Sequence, residues 1–215
     1  MVGWKTKHAL SLLGPNPALY PTYTARKANR ELRGLARQYL NWFRLEPRKT
    51  HVFPMVGAIF QYEFAKGVRD ATGLKTRICT ITPLRGKNTA SYLQPQAERL
   101  GLSRTGVVLH DYIHRGILRN AIIEAASIPG GQMGIHKLAE RQVMPEAIVP
   151  LFGGHKNVSW RSMFRKEVGI GSDGLAVRLG RNEHRLSDRE RMFVLRACYA
   201  AGYAAAKELE GKKTR

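Results

Sequence analysis

Cysteine is almost missing from this chain, with Cys79 and Cys198 the only two. Two thiols cannot build a disulfide framework, so a small secreted scaffold stapled by bridges is excluded. A reducing compartment, or a pair of inert buried thiols, is expected instead. Long apolar runs are missing too. The longest, such as Ala147 to Phe152, fall well short of the ~18 to 20 residues that cross a bilayer, and no membrane span is expected. Acids are scarce: 16 Asp and Glu stand against 36 Lys and Arg, a formal net charge of +20 over 215 residues, and none precedes Glu31. Hydrophobic residues still make up 43% of the chain. That content supports a core and argues against wholesale disorder, which pairs high charge with low hydrophobicity.

The surplus of positive charge is unevenly placed. The balance is +8 over residues 1–50, +4 over 51–100, +1 over 101–150 and +7 over 151–215. A nearly neutral centre with basic ends suits a packed middle whose flanks lie on something anionic. Arg outnumbers Lys, 23 to 13. Guanidinium meets phosphate through a planar fork and stacks on bases, whereas an ammonium offers a hydrated point charge. In the N-terminal segment, Lys5, Lys7, Arg26 and Lys27 have no acid before them, the first being Glu31.

The patterning predicts a mainly α-helical, irregular multi-helix domain over 24–210 with at most a minor β element. An extended basic arm (1–23), kept open by Pro15, Pro17 and Pro21, precedes it, and a basic tail (211–215) follows. A first helix is expected from Thr24 to about Arg44, with Leu32, Leu35, Tyr39, Leu40 and Phe43 at 3–4 spacing. A second is expected over Met55 to Thr72, ending at Gly73. Arg77 to Thr82 is the best strand candidate, and residues 89–100 read as a helix with Pro95 in its first turn. Val107 to Ser127 is apolar on every side of a helical wheel and reads as one buried central helix. Shorter helices are expected at 134–142, 145–152 and 159–168, then a glycine-rich loop over 169–180 with a short strand at 175–177. Ser187 and Glu190 form a capping box that opens a last helix running to about Glu210.

Among the motifs, His110-Asp111-Tyr112-Ile113-His114 has two histidines at i and i+4. On a helix they would share one face and could hold a metal, with Glu124, His136 or Glu140 as third ligand. The string also resembles an HD-x-x-H motif of a ubiquinone-biosynthesis family, although Glu124 comes earlier than that family's spacing puts its Glu. Gly169 to Gly174 fits G-x-G-x-x-G, but it lacks the preceding strand and following helix of a dinucleotide site. No nucleophile elbow or Walker-type phosphate loop occurs. Leu179-Gly180-Arg181-Asn182 with His184-Arg185 is similar to a string of one bacterial large-subunit ribosomal protein family, one residue shorter here. Arg178, Arg181, Arg185 and Arg189 cluster there and can straddle a phosphate backbone.

The expected function is a structural, RNA-binding subunit of a large ribonucleoprotein assembly, ribosomal or organellar-ribosomal. Ribosomal RNA and neighbouring subunits would be its partners, in a hetero-assembly rather than a homo-oligomer. The expected RNA-binding residues are Lys5, Lys7, Arg26, Lys27, Arg30, Arg33, Arg37, Arg178, Arg181, Arg185 and Arg189. No enzymatic activity and no cofactor are expected, and the location would be mitochondrial or otherwise cytoplasmic. Two alternatives stand beside this. The first is an accessory structural subunit of a mitochondrial respiratory or ATP-synthase complex, since the arginine-rich first helix resembles helices of small mitochondrial accessory proteins. The second is a metal-dependent enzyme built on His110, His114 and Glu124.

Overall fold

The computed structural model of the chain describes residues 22–82, 90–102, 106–111, 117–128, 133–137, 158–164, 173–179, 182–185 and 188–211. A four-stranded parallel sheet lies at its centre, which overturns the expectation of a mainly α-helical fold. Its strands are β1 (Thr50–Pro54), β2 (Arg77–Ile81), β3 (Val107–Asp111) and β4 (Met133–Lys137), in the order β2-β1-β3-β4. Register runs Thr50↔Arg77 and Thr50↔Val107 on either side of β1, and Val107↔Met133 between β3 and β4. Helices α1 (Thr22–Leu45), α2 (Met55–Thr72), α3 (Ala90–Arg99), α4 (Ile117–Ala125) and α5 (Asp188–Gly211) complete the element list. A separate antiparallel sheet joins β5 (Val158–Phe164), β6 (Asp173–Leu179) and β7 (Asn182–Arg185), with Leu179 opposite Asn182 across a two-residue link.

The fold class was misread because a strand of a parallel sheet is buried on both faces. Its sequence is then a continuous apolar run that periodicity cannot tell from a buried helix. Val107 to Ser127, read as one helix, is β3 followed by α4. Thr50 to Pro54, a run bounded by prolines, is β1, and all five residues are buried. The helices expected from 134 and from 159 are replaced by β4 and β5, and the glycine-rich loop contains β6. Pro95 sits inside α3, not in its first turn, and faces solvent. The arm up to residue 21, the helix at 145–152 and the tail from 212 lie outside the described residues.

Each face of the sheet has its own core. Phe53 and Ile78 pack with Leu35, Tyr39 and Phe43 of α1, Phe64 and Val68 of α2, and Cys198 and Ala201 of α5. Val52, Cys79, Ile81, Val107 and Leu109 pack with Leu93 of α3 and Ile122 of α4. Alternation along the strands sends neighbouring side chains to opposite layers. α2 and α5 approach so closely that a Cβ on Gly67 would strike the Tyr199 carbonyl, and one on Gly202 would strike that of Phe64. α2 ends where Gly73 turns left-handed at φ 66, and Thr72 Oγ1 donates to the Val68 and Arg69 carbonyls at 3.0 and 3.1 Å. Among the described residues no helix is long and apolar enough to cross a membrane.

Candidate functional site

β1 and β3 are neighbours, yet the chain leaves them toward opposite layers. β1 leads into α2 in the aromatic layer, while β3 is followed by α4 in the aliphatic one. Such a reversal marks the position, outside the carboxyl ends of the two strands, where open α/β sheets form a ligand-binding crevice. β1 meets the crevice through Pro54, which is extended (φ −67, ψ 125) and gives α2 no side-chain cap. The first turn of α2 has no acid, and Ala58 departs from helical geometry (φ −120, ψ 17), so that turn is set off from the rest. β3 ends on the half-buried Asp111. At the end of β2, Gln96 of α3 grips Thr82: the Thr82 N–H donates to Gln96 Oε1 at 2.9 Å, and Gln96 Nε2 donates to the Thr82 carbonyl at 3.2 Å.

Immediately behind Asp111 lies a buried histidine pair. His51 Nδ1 and His110 Nε2 are 2.8 Å apart, with both residues fully buried. His51 Nε2 lies 3.3 Å from the carbonyl of Glu46. A carbonyl only accepts, so His51 carries its proton on Nε2 and its Nδ1 accepts. His110 therefore donates from Nε2. The bonds run one way, from His110 through His51 to the backbone of the α1–β1 turn. Aromatic rings enclose them: Phe53 stacks on His110 at 4.4 Å and 3°, Trp42 lies 5.1 Å from His110, and Phe43 meets His51 edge-on at 4.9 Å. Lys49 Nζ holds the Glu46 carboxylate at 2.8 Å at the other end of the relay.

This arrangement removes the ground for a helical metal pair. His110 is on a strand, and its Nε2 is committed to His51. His114 and Glu140 lie outside the described residues. His136 is opposite His110 in the β3–β4 register, but its side chain is not described. Glu124 is exposed on α4, within the other layer. Among the described residues, no group of three His, Cys, Asp or Glu could hold a metal ion. Of the expected RNA contacts, Arg30 and Arg37 are exposed, while Arg33 lies 3.9 Å from Glu208 of α5. Arg26 and Lys27 are on α1, Arg178 on β6, Arg185 on β7 and Arg189 on α5, with their side chains not described. Lys5, Lys7 and Arg181 lie outside the described residues.

Burial sets the remaining electrostatics. It pushes the Cys79 thiol up to about 11, against the nearby Arg77, and the fully buried Cys198 well above the ordinary thiol range, helped by Glu63. Both are free and buried, so neither supplies a thiolate at neutral pH. Partial burial also raises Glu63, which Lys66 opposes at 4.0 Å.

Of these residues, His51 and Gln96 carry no motif in the sequence, and Asp111 stands there only within the His110–His114 string. Two signals pointed to the crevice. A short apolar run ends in an acid, Val107-Val108-Leu109-His110-Asp111, with a glycine before the next helix. A second run, Thr50 to Pro54, breaks straight into a helix. No known protein family, curated protein or solved structure matches the chain.

Proposed function

We propose that the protein binds a small phosphorylated ligand, such as a sugar phosphate or nucleotide, at the carboxyl edge of the parallel sheet. The observation that carries this is the switch in chain direction between β1 and β3. It is a fold-level argument, made specific by the groups near it. The acid-free first turn of α2 offers backbone N–H groups without a capping side chain, which favours an anion. Asp111 supplies an acceptor for a sugar hydroxyl.

The test is thermal denaturation of the full chain with inorganic phosphate, pyrophosphate, a pentose phosphate and a nucleoside monophosphate. A true ligand at 100 times its Kd stabilises by about 2.7 kcal/mol. Asp111→Ala should weaken protection by the sugar-bearing compounds and leave protection by inorganic phosphate. Absence of protection by every phosphorylated compound would overturn the reading.

A further inference from the structure

The exposed side of α1 and the turn after it carry a row of arginines, separate from the sheet edge. From Leu32 to Arg48 every exposed charged residue is an arginine (Arg37, Arg44 and Arg48), and Arg30 is exposed just before them; the side chain of Glu31 is not described. Arg30, Arg37 and Arg44 recur every seven residues, which on a helix makes one slowly drifting row with steps of roughly 10 Å. The acid nearest the end of the row, Glu46, is half-buried and held by Lys49 at 2.8 Å. Arg33 does not belong to the row, because it turns toward Glu208. Elsewhere exposed charges mix in sign, as Asp70 and Glu98 do with Arg77 and Arg99. A face serving solubility alone mixes signs more evenly than the stretch from Leu32 to Arg48 does.

We propose that this row binds the phosphodiester backbone of a nucleic acid strand. A membrane surface fits less well. The apolar face that an interfacial helix would insert is already spent, since Leu32, Leu35, Tyr39, Leu40 and Phe43 are buried in the core. What lies exposed among the arginines includes Gln38 and Asn41, side chains that hydrogen-bond sugar and base edges. Guanidinium forks match bridging phosphates better than ammonium groups do.

The experiment measures binding of the full chain to a short single-stranded RNA, the same sequence as DNA, and phosphatidylserine vesicles, each across a salt series. The triple variant Arg30→Ala, Arg37→Ala, Arg44→Ala is compared with Lys75→Ala, Arg77→Ala, Arg99→Ala, which removes the same charge from other exposed positions. Circular dichroism verifies that both fold. Removing three phosphate contacts should flatten the log–log salt slope by about 2, at roughly 0.7 per contact on a single strand. The control triple should flatten it by much less. Binding to either polymer supports the proposal, and a preference for RNA shows that the 2′-hydroxyl is read. Equal losses in the two triples, a salt-independent interaction, or binding to vesicles but to neither nucleic acid would overturn it.

Discussion

The two layers flanking the sheet are built on different principles. The layer of α1, α2 and α5 holds Tyr39, Phe43, Phe53 and Phe64, the buried His51–His110 relay, and the glycine contact between α2 and α5. The layer of α3 and α4 is alanine and branched aliphatic residues around Leu93, Leu109 and Ile122, with Gln96 as a polar strap at one end. Hydrogen bonds, edge-to-face rings and backbone-to-backbone contact are directional, and they admit one arrangement. Aliphatic packing depends on volume and tolerates exchange. The first layer therefore fixes the geometry of the sheet, while the second fills space. The switch in chain direction between β1 and β3 lies where the two layers part.

The largest expected effect comes from the tightest contact in the directional layer. Gly202→Ala places a methyl group against the Phe64 carbonyl, with the Phe64 Cα 3.1 Å away, and backbone cannot step aside as a side chain can. The loss should be about 3 kcal/mol or more. Gly34→Ala is the matching control, because its Cβ would meet nothing within 4 Å. On the exposed side of α1 it should stabilise by ~0.5 to 1 kcal/mol. Urea denaturation of the two variants should give opposite signs. Two losses of similar size would show that the α2–α5 seam is looser than described.

Next comes the histidine relay. Removing His51 leaves the His110 Nε2–H facing an apolar gap, and an unsatisfied buried donor costs ~1 to 3 kcal/mol. A double-mutant cycle of His51→Ala and His110→Ala should therefore return a coupling of about 1 kcal/mol or more. Imidazole nitrogen NMR of the unaltered protein checks the same point without a variant: both rings should carry the proton on Nε2. A proton on His51 Nδ1 would reverse the direction of the relay and detach it from Glu46.

Legibility in the sequence followed the same division between layers. α1, α2, β2, α3 and α5 fall close to the limits expected from 3–4 spacing, β-branching, Gly73 and the Ser187–Glu190 box, because each signal there is local. β1 and β3 escape a sequence reading because burial on both faces erases the alternation that marks a strand, while β4 is a short edge strand with Ile135 exposed. Only pairing with distant residues, such as His51 with Val108, makes them strands. The crevice could not be read for the same reason, since it exists only once the strand order is known. The arginines of α1 were legible as charge, but their sorting was not. Whether Arg33 joins Arg30 and Arg37 depends on Glu208, which lies far away in sequence.

The aliphatic layer should be most sensitive at its strap. Gln96→Ala removes both partners of Thr82 at once. Thr82 is half-buried, so water can replace part of what is lost and the expected cost is about 1 kcal/mol. Gln96→Glu sharpens the test. The carboxylate still accepts from the Thr82 N–H but no longer donates to its carbonyl, so about half the loss should return. Full recovery with Glu would mean that one of the two bonds contributes nothing.

The smallest effect is a gain with a defined pH dependence. Burial disfavours the charged form of Glu63 and raises its pKa in the folded chain, with Lys66 only partly opposing. A folded-state pKa above the unfolded one means that the native protein binds more protons across the interval between the two values. Stability then falls as pH rises through that interval, which begins near the ordinary carboxylate value of ~4.3. Above it, the ionised Glu63 is a standing penalty beside the buried Cys198. Glu63→Gln keeps the shape and removes the charge, so at neutral pH it should raise Tm slightly. The advantage should shrink on acidification, as the native carboxyl takes up its proton and comes to resemble the amide. Thermal melts of both proteins between neutral and acidic pH follow the difference. An advantage that stayed constant with pH would assign the gain to packing against α5 and not to the buried charge.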